Sequence, residues 1–536
     1  MSSIRQNDRQ AICFLYASSV VAASLSLAVA SMQYADHNDH RSITAEWGRP
    51  LFVSSLYATS CLILIAMAGY FESHRSETFE AVHRGTGPVP FSVKFSIKGE
   101  KVNLYLRLGL AMFGLMSIGH VAVKFVEDKP TTSNEFCLHL KSILEMAFFV
   151  LQTLFILRYH RLVILRYNEA MGAGFVHLLT TNLCVWADIS VGKIDKTLSY
   201  GKQWRTKSGV MMEQYRNSTD HVHITNCTDD SHSATHSLNL IDISFYLLPT
   251  VSEYCLLAAA LLYEITVRIG QPSFIEIEKS KEAKQSSRHR NECRDCSASA
   301  GSWFGIITVL LVIALTIVTA TTPKYVEKAA NFWKSVIILA EEAILCLFGI
   351  AFVIMAFCQT RKLKFSIATR QSHVEEFLLY TAFFFSANYT ISTMILSADF
   401  EDENRNFETK LNTERYLLIC RCTLNAFELV QILFQTYMIQ DSFHRCSDRL
   451  KHQITKPGRQ AIVALLGINL AFWIQQSFQL KNADILFLIE SDKGAYGWIL
   501  YVVTMPISLF YRYHCTVCLS QCFNKLYEDE VSAVDD

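Results

Sequence analysis

Apolar residues run in twelve long stretches along the chain, separated by polar connections. The stretches cover residues 11–34, 50–70, 102–126, 138–158, 172–190, 243–266, 302–321, 332–357, 375–397, 414–440, 459–480 and 496–520. Each is long enough to cross a bilayer as a helix, which takes about 20 residues. The strands of a membrane barrel would be shorter, and apolar and polar residues would alternate along them. Backbone polar groups cannot stay unpaired in hydrocarbon, so a continuous apolar stretch must be a helix. The pattern therefore predicts an all-α, polytopic membrane protein with twelve transmembrane helices.

Polar residues inside these stretches recur in the same order in both halves of the chain. The first half carries, in order, Glu145, Gln152, Asn182, Trp186, Pro249 and Tyr254. The second half repeats the residue types as Glu428, Gln435, Asn469, Trp473, Pro506 and Tyr511. The spacing from Glu to Gln, from Asn to Trp and from Pro to Tyr is the same in both. Amides and carboxylates are costly inside a membrane, so this recurrence indicates an internal duplication.

The duplication predicts two domains. Residues 1–300 form an N-terminal six-helix half, with a long extracellular loop at 191–242 and a cytosolic linker at 268–301. Residues 301–536 form the C-terminal six-helix half. Because six is even, the two halves are predicted to be parallel repeats about an axis along the membrane normal.

Loop charges predict the orientation in the membrane. The connections after every second stretch are rich in Lys and Arg, as in the run from Arg268 to Arg294, whereas the alternate connections are more acidic. By the positive-inside rule, both termini are cytosolic. The 191–242 loop carries two glycosylation sequons, at Asn217 and Asn226, which agrees with an outer location. We expect a multi-pass protein of the plasma membrane.

Composition agrees with this class. The 536 residues are 51% hydrophobic and 18% charged, with 49 basic and 49 acidic side chains, so no charge excess suggests a nucleic-acid partner. Most of the 16 cysteines fall in apolar stretches or on the predicted cytosolic side, where thiols stay reduced. One outer pair, Cys137 and Cys227, offers a candidate disulfide. Cys293-x-x-Cys296 has only half the ligands of a zinc site, so no resident metal is predicted.

The buried polar groups favour a proton path over a purely structural role. Amides and phenols alone could serve as interhelical contacts worth about 0.6 to 2 kcal/mol. The carboxylates Glu145, Glu253 and Glu428 each cost about 2.5 to 3.5 kcal/mol to insert, and such groups usually mark ion or proton routes. Gln, Asn and Tyr side chains are candidate constrictions, while the ionisable side chains are candidate titrating groups. Besides the three carboxylates, these are His177, Arg512 and His514.

Three other functions stay open on these residues. A proton-coupled secondary transporter suits parallel repeats with buried carboxylates, but it usually has broken helices at mid-depth. A scaffold with sealed clusters would carry no current. A membrane enzyme would need a clustered nucleophile or metal set, and the sequence offers no such motif. The sequence therefore predicts a channel, with the transporter as the alternative.

Several segments resemble the otopetrin family. The resemblance is carried by residues 456–459, Asn469 to Trp473, Tyr496-Gly497 and Pro506 to His514, and it is most specific in the last seventy residues. The segments His177 to Trp186, Glu253-Tyr254 and Asn103 to Gly114 are also similar. Together they cover the chain from about residue 100.

This resemblance implies a proton-selective channel opened by extracellular acid and blocked by zinc, with no bound cofactor. It also implies twelve spans in two halves, a homodimer and association with sterol. The constrictions would fall on Gln152, Asn182 and Tyr254 in one half and on Gln435, Asn469 and Tyr511 in the other. Relatives commonly carry a Glu about two turns after the Trp of the fifth span. Here Lys193 stands at that position and Asp188 is the nearest carboxylate, which makes Asp188 a further gating candidate.

Overall fold

The fold is helical throughout the part of the chain that the structure, a computed structural model, describes. That part is residues 2–37, 43–74, 94–97, 104–127, 135–165, 169–192, 240–270, 298–321, 328–365, 373–403, 411–447, 449–478 and 495–527. Within these ranges, each of the twelve apolar stretches lies on a helix. Nine of the described helices are long and apolar enough to cross a membrane. The prediction of an all-α, polytopic membrane protein is confirmed, and the number of crossings stays a prediction.

The chain divides into two compact units. The helices of the first unit are α1 (Ser2–His37), α2 (Ile43–Ser73), α3 (Leu104–Glu127), α4 (Glu135–Tyr159), α5 (Glu169–Gly192) and α6 (Leu240–Val267). Those of the second unit are α7 (Ser299–Thr321), α8 (Lys328–Thr360), α9 (His373–Glu403), α10 (Leu411–Phe443), α11 (Arg459–Phe478) and α12 (Ala495–Lys525). A short helix, Leu450–Thr455, precedes α11. The predicted boundary at residue 300 stays a prediction.

Each unit also contains one two-stranded antiparallel ribbon. In the first unit, β1 (Phe95–Ser96) pairs with β2 (Val163–Ile164), so that Phe95 lies opposite Ile164. In the second, β3 (Lys364–Phe365) pairs with β4 (Arg445–Cys446), and Lys364 lies opposite Cys446. Each ribbon joins the strand after the second helix of its unit to the strand after the fourth. The two units thus share a feature that the apolar pattern did not predict.

Helix packing follows one scheme in both units. In the first unit, α3 packs on α6, α2 on α4, and α4 on both α3 and α6. In the second, α9 packs on α12, α8 on α10, and α10 on both α9 and α12. The fourth and sixth helices of each unit, which carry the predicted Gln and Tyr, are therefore in contact.

Small residues allow the closest helix approach in the second unit. Gly305 of α7 faces Gly467 of α11, and a Cβ on Gly467 would lie 2.4 Å from the Cα of Gly305. Backbone atoms cannot move aside as a flexible side chain can. The α7–α11 contact therefore requires glycine at position 467.

Replacing Gly467 by Ala is expected to lower thermal stability, because the added methyl forces α7 and α11 apart. Overpacking of this kind costs about 1–3 kcal/mol. The matched control is Gly69→Ala on α2, where an added Cβ meets no atom within 4 Å. That change should leave stability equal or slightly higher, since Ala is the better helix former. Thermal unfolding of the detergent-solubilised protein measures both variants, and equal melting temperatures would contradict the packing argument.

Candidate functional site: two buried amide and phenol clusters

The first cluster joins α4, α5 and α6 through Gln152, Asn182 and Tyr254, which we call the first triad. All three side chains are fully buried. Gln152 Nε2 donates to Asn182 Oδ1 at 3.0 Å, and Asn182 Nδ2 donates back to Gln152 Oε1 at 2.9 Å. The Tyr254 hydroxyl lies 3.3 Å from Gln152 Nε2. The side chains that the sequence predicted as a constriction are thus in direct contact.

The second triad, Gln435, Asn469 and Tyr511, lies between α10, α11 and α12 and repeats the amide pair, while its tyrosine hydroxyl donates to the backbone oxygen of Ile432 at 3.1 Å. Gln435 Nε2 donates to Asn469 Oδ1 at 2.8 Å, and Asn469 Nδ2 returns a bond of 3.1 Å to Gln435 Oε1. In both triads the asparagine also donates to the backbone carbonyl four residues earlier, at 2.8 Å in each case. These three side chains are also fully buried.

Two threonines complete the triads. Thr153 Oγ1 lies 2.8 Å from the Tyr254 hydroxyl, and Thr436 Oγ1 lies 2.9 Å from the Tyr511 hydroxyl. Each threonine directly follows the glutamine of its triad. The matched Gln-Thr pairs are present in the sequence, but the two threonines were not among the predicted site residues.

The arrangement satisfies the amides with one another. Each amide oxygen and nitrogen of the two triads has at least one hydrogen-bond partner within its own triad. Amides and threonine hydroxyls do not titrate at physiological pH. A triad in this state is a neutral, internally hydrogen-bonded cluster between three helices.

Of the other candidates in the first unit, Glu253 is fully buried beside Tyr254, and Glu145 is half-buried. The Tyr57 ring of α2 packs against Phe148 of α4, with the ring centres 5.3 Å apart, about one turn from Glu145. Since Glu145 and Gln152 are two helical turns apart, they lie on one face of α4 about 10 Å apart along its axis. The structure therefore places the Glu145 carboxylate two turns from the first triad, on the same face of α4 as Gln152.

His177 and Asp188 lie on α5 on either side of Asn182. His177 lies between Tyr16 and Thr59, with Nδ1 2.7 Å from the tyrosine hydroxyl and Nε2 2.9 Å from the threonine Oγ1. It contributes to the wall of a cavity of about 890 Å³ between α1, α2 and α5.

Asp188 forms ion pairs near the end of α5. Arg49 Nε lies 2.6 Å from Asp188 Oδ1, and Lys141 Nζ lies 3.7 Å from Oδ2. The carboxylate thus has two cationic partners. Asp188 lies six residues beyond Asn182, about 9 Å along the helix, so it is not part of the first triad.

In the second unit, Glu428 and Arg512 form an ion pair. Arg512 Nη2 donates to Glu428 Oε1 at 2.7 Å, and both side chains are at most 4% exposed. Arg512 Nη1 donates to Gln431 Oε1 at 2.6 Å, and Gln476 Nε2 donates to Glu428 Oε1 at 2.8 Å. Glu428 and Arg512 were each predicted from the sequence as site residues, but not as a pair. Gln431 and Gln476 were not predicted.

His514 lies one turn nearer the end of α12 than Tyr511. It is almost fully buried, its ring stacks on Phe510, and its Nε2 lies 3.2 Å from the backbone oxygen of Glu375. The Glu375 side chain accepts a hydrogen bond from Gln521. His514 thus contacts α9 rather than the second triad.

Some sequence predictions fall outside the described residues. These are the sequons at Asn217 and Asn226, Lys193, Cys227 and the Cys293-x-x-Cys296 pair. Cys137 lies on α4, but its side chain is not among those described. Within the described ranges, no group of three or more His, Cys, Asp or Glu side chains has the geometry to hold a metal ion.

Comparison with known proteins agrees with these features. The otopetrin family model matches residues 105–513, which hold both triads and the Glu428–Arg512 pair. The chain is 27% identical over 465 residues to a Drosophila melanogaster protein named "Proton channel OtopLc". The match covers 80% of this chain and 28% of the length of that relative. This chain is a multi-pass membrane protein and belongs to the otopetrin family.

Proposed function

We propose that this protein is a proton-selective channel that conducts H⁺ down its gradient, with no enzymatic step. The observation that carries the proposal is the repeated triad, with its reciprocal amide bonds buried among three helices of each unit. The name of the Drosophila relative supports the same activity.

The chemistry of the triads explains why protons would be selected. A hydrated metal cation needs a water-filled opening or a ring of oxygen ligands, and the amides of each triad are already bonded to one another. A proton needs only a transient chain of hydrogen bonds through waters and side chains. Brief opening of the amide pairs would admit such a chain without admitting a larger ion.

We further propose that extracellular acid opens the channel, with Glu145, Glu253 and His177 as candidate titrating groups. The protein is proposed to work in the plasma membrane as a homodimer with cytosolic termini. Association with sterol, block by zinc and glycosylation at Asn217 and Asn226 are part of the same proposal and rest on the family resemblance and the sequons.

A proton-coupled transporter is the alternative. Transporters with parallel or inverted repeats usually bind substrate at broken helices. Here α6 and α12 continue through Pro249 and Pro506 without interruption. The continuous helices favour the channel.

The proposal is tested by proton flux into liposomes that contain the purified protein. A potassium gradient with valinomycin sets the driving voltage, and an internal dye reports pH. We expect the liposome interior to acidify only when the protein is present, and to do so without added sodium or organic solute. Flux that depends on an added solute would instead identify a coupled transporter.

A further inference from the structure

One pair of repeated positions near the triads carries a different charge in the two units. Aligning Gln152 with Gln435 and Tyr254 with Tyr511 places Glu145 opposite Glu428 and Cys255 opposite Arg512 in the repeat. At these repeated positions both units carry a glutamate, but only the second unit carries an arginine. This difference adjoins the triad in each case, since Cys255 and Arg512 directly follow the triad tyrosines.

In the second unit the pair is closed and rigidly held. Arg512 is fully buried, donates to Glu428 and Gln431, and lies with its guanidinium carbon 4.1 Å from the centre of the Phe472 ring. Glu428 accepts a second bond from Gln476. Both charged groups thus have partners that fix their positions.

In the first unit the same positions hold an acid without an arginine. Within the part of the chain that the structure describes, Glu145 forms no ion pair, whereas Glu428 pairs with Arg512 at 2.7 Å. The fully buried Tyr57 of α2 packs its ring against Phe148 and Phe149 of α4, about one turn from Glu145.

This difference affects proton passage. Protonating Glu428 would break its ion pair and leave a buried guanidinium uncompensated, which is strongly unfavourable. The fixed positive charge of Arg512 would also repel a proton approaching the second triad. Among the described residues Glu145 has no ion-pair partner that its protonation would leave uncompensated, and Lys141, one turn earlier on α4, is paired with Asp188 at 3.7 Å.

We propose that protons pass through the first unit, with Glu145, two turns from Gln152 on α4, as the group that takes up and releases them, and that the Glu428–Arg512 pair closes the second unit. The inference rests on the proposed channel function and adds which unit conducts. In this proposal, Arg512 prevents protons from passing through the second unit.

The test compares liposome proton flux for isosteric variants of the full chain. Glu145→Gln should lower the flux by at least about tenfold, because the amide cannot relay a proton. Glu145→Asp keeps a carboxylate and should restore part of the flux. Glu428→Gln with Arg512→Gln removes the ion pair without leaving an unpaired charge, so its flux should stay well above that of Glu145→Gln.

The matched control is Glu72→Gln, since Glu72 forms a solvent-exposed pair with Arg158 at 3.3 Å near the end of α2. Its flux should equal that of the unchanged chain. Size-exclusion profiles verify that each variant is folded. If the double variant loses more flux than Glu145→Gln while the unchanged chain conducts, this inference is overturned and the channel function stands. Absence of flux in the unchanged chain would overturn both.

Discussion

Replacing Asn182 and Asn469 together by leucine is expected to abolish the proton current. Each asparagine both donates to and accepts from the glutamine of its triad. Leucine has a similar size but offers neither a donor nor an acceptor. The hydrogen-bonded connection through both triads would therefore be interrupted by an apolar side chain.

The substitution also leaves the amides of Gln152 and Gln435 short of partners in buried surroundings. An unsatisfied buried polar group costs about 1–3 kcal/mol, so surface expression must be measured alongside the current. If the first unit conducts, the single change Asn182→Leu should account for most of the loss.

Asn388→Leu provides the matched control. Asn388 on α9 donates to the carbonyl of Phe384, four residues earlier, at 2.7 Å, as the triad asparagines do on their helices. It belongs to neither triad. Current should persist in this variant and vanish in the double variant at equal surface amount. Normal current in the double variant would remove the triads from the conduction path.

Changing Arg512 alone is expected to destabilise the protein more than changing it together with Glu428. The single variant Arg512→Gln leaves the Glu428 carboxylate buried without its cation. Loss of one partner of a buried ion pair costs about 3–5 kcal/mol. In the double variant with Glu428→Gln, two neutral amides replace the pair, so most of that loss should be recovered.

Thermal unfolding of the solubilised protein measures this difference. Arg158→Gln is the control, because its pair with Glu72 is exposed and such pairs contribute at most about 1 kcal/mol. We expect the single Arg512 variant to melt well below both the control and the double variant. Similar melting temperatures for the single and double variants would show that leaving Glu428 without its cation does not destabilise the protein.

The helices could be predicted from the sequence because length and apolarity decide them. A stretch that must bury every backbone polar group in hydrocarbon has few alternatives to a helix. The triads could be predicted as well, since Gln, Asn and Tyr recur in the same order in two halves. Repetition supplied the contact information that a single copy would lack.

The partners of the charged groups could not be predicted in this way. Three buried carboxylates of the second unit, Glu341, Glu342 and Glu428, were all available to its arginines. The structure pairs Glu342 with Arg421 at 2.7 Å and Glu428 with Arg512. Such a choice depends on helix rotation and relative depth, which periodicity does not determine. The short ribbons were missed for a related reason, because a two-residue strand has no detectable pattern.

The most direct test of the central claim is the reversal potential of the whole-cell current in cells that express the chain. The bath is stepped from neutral to acid pH with sodium replaced by an impermeant cation, while cytosolic pH is imaged. A proton channel predicts inward current with cytosolic acidification and a reversal potential that moves by about 59 mV per pH unit. A reversal potential independent of pH, or no current at any bath pH, would contradict the account.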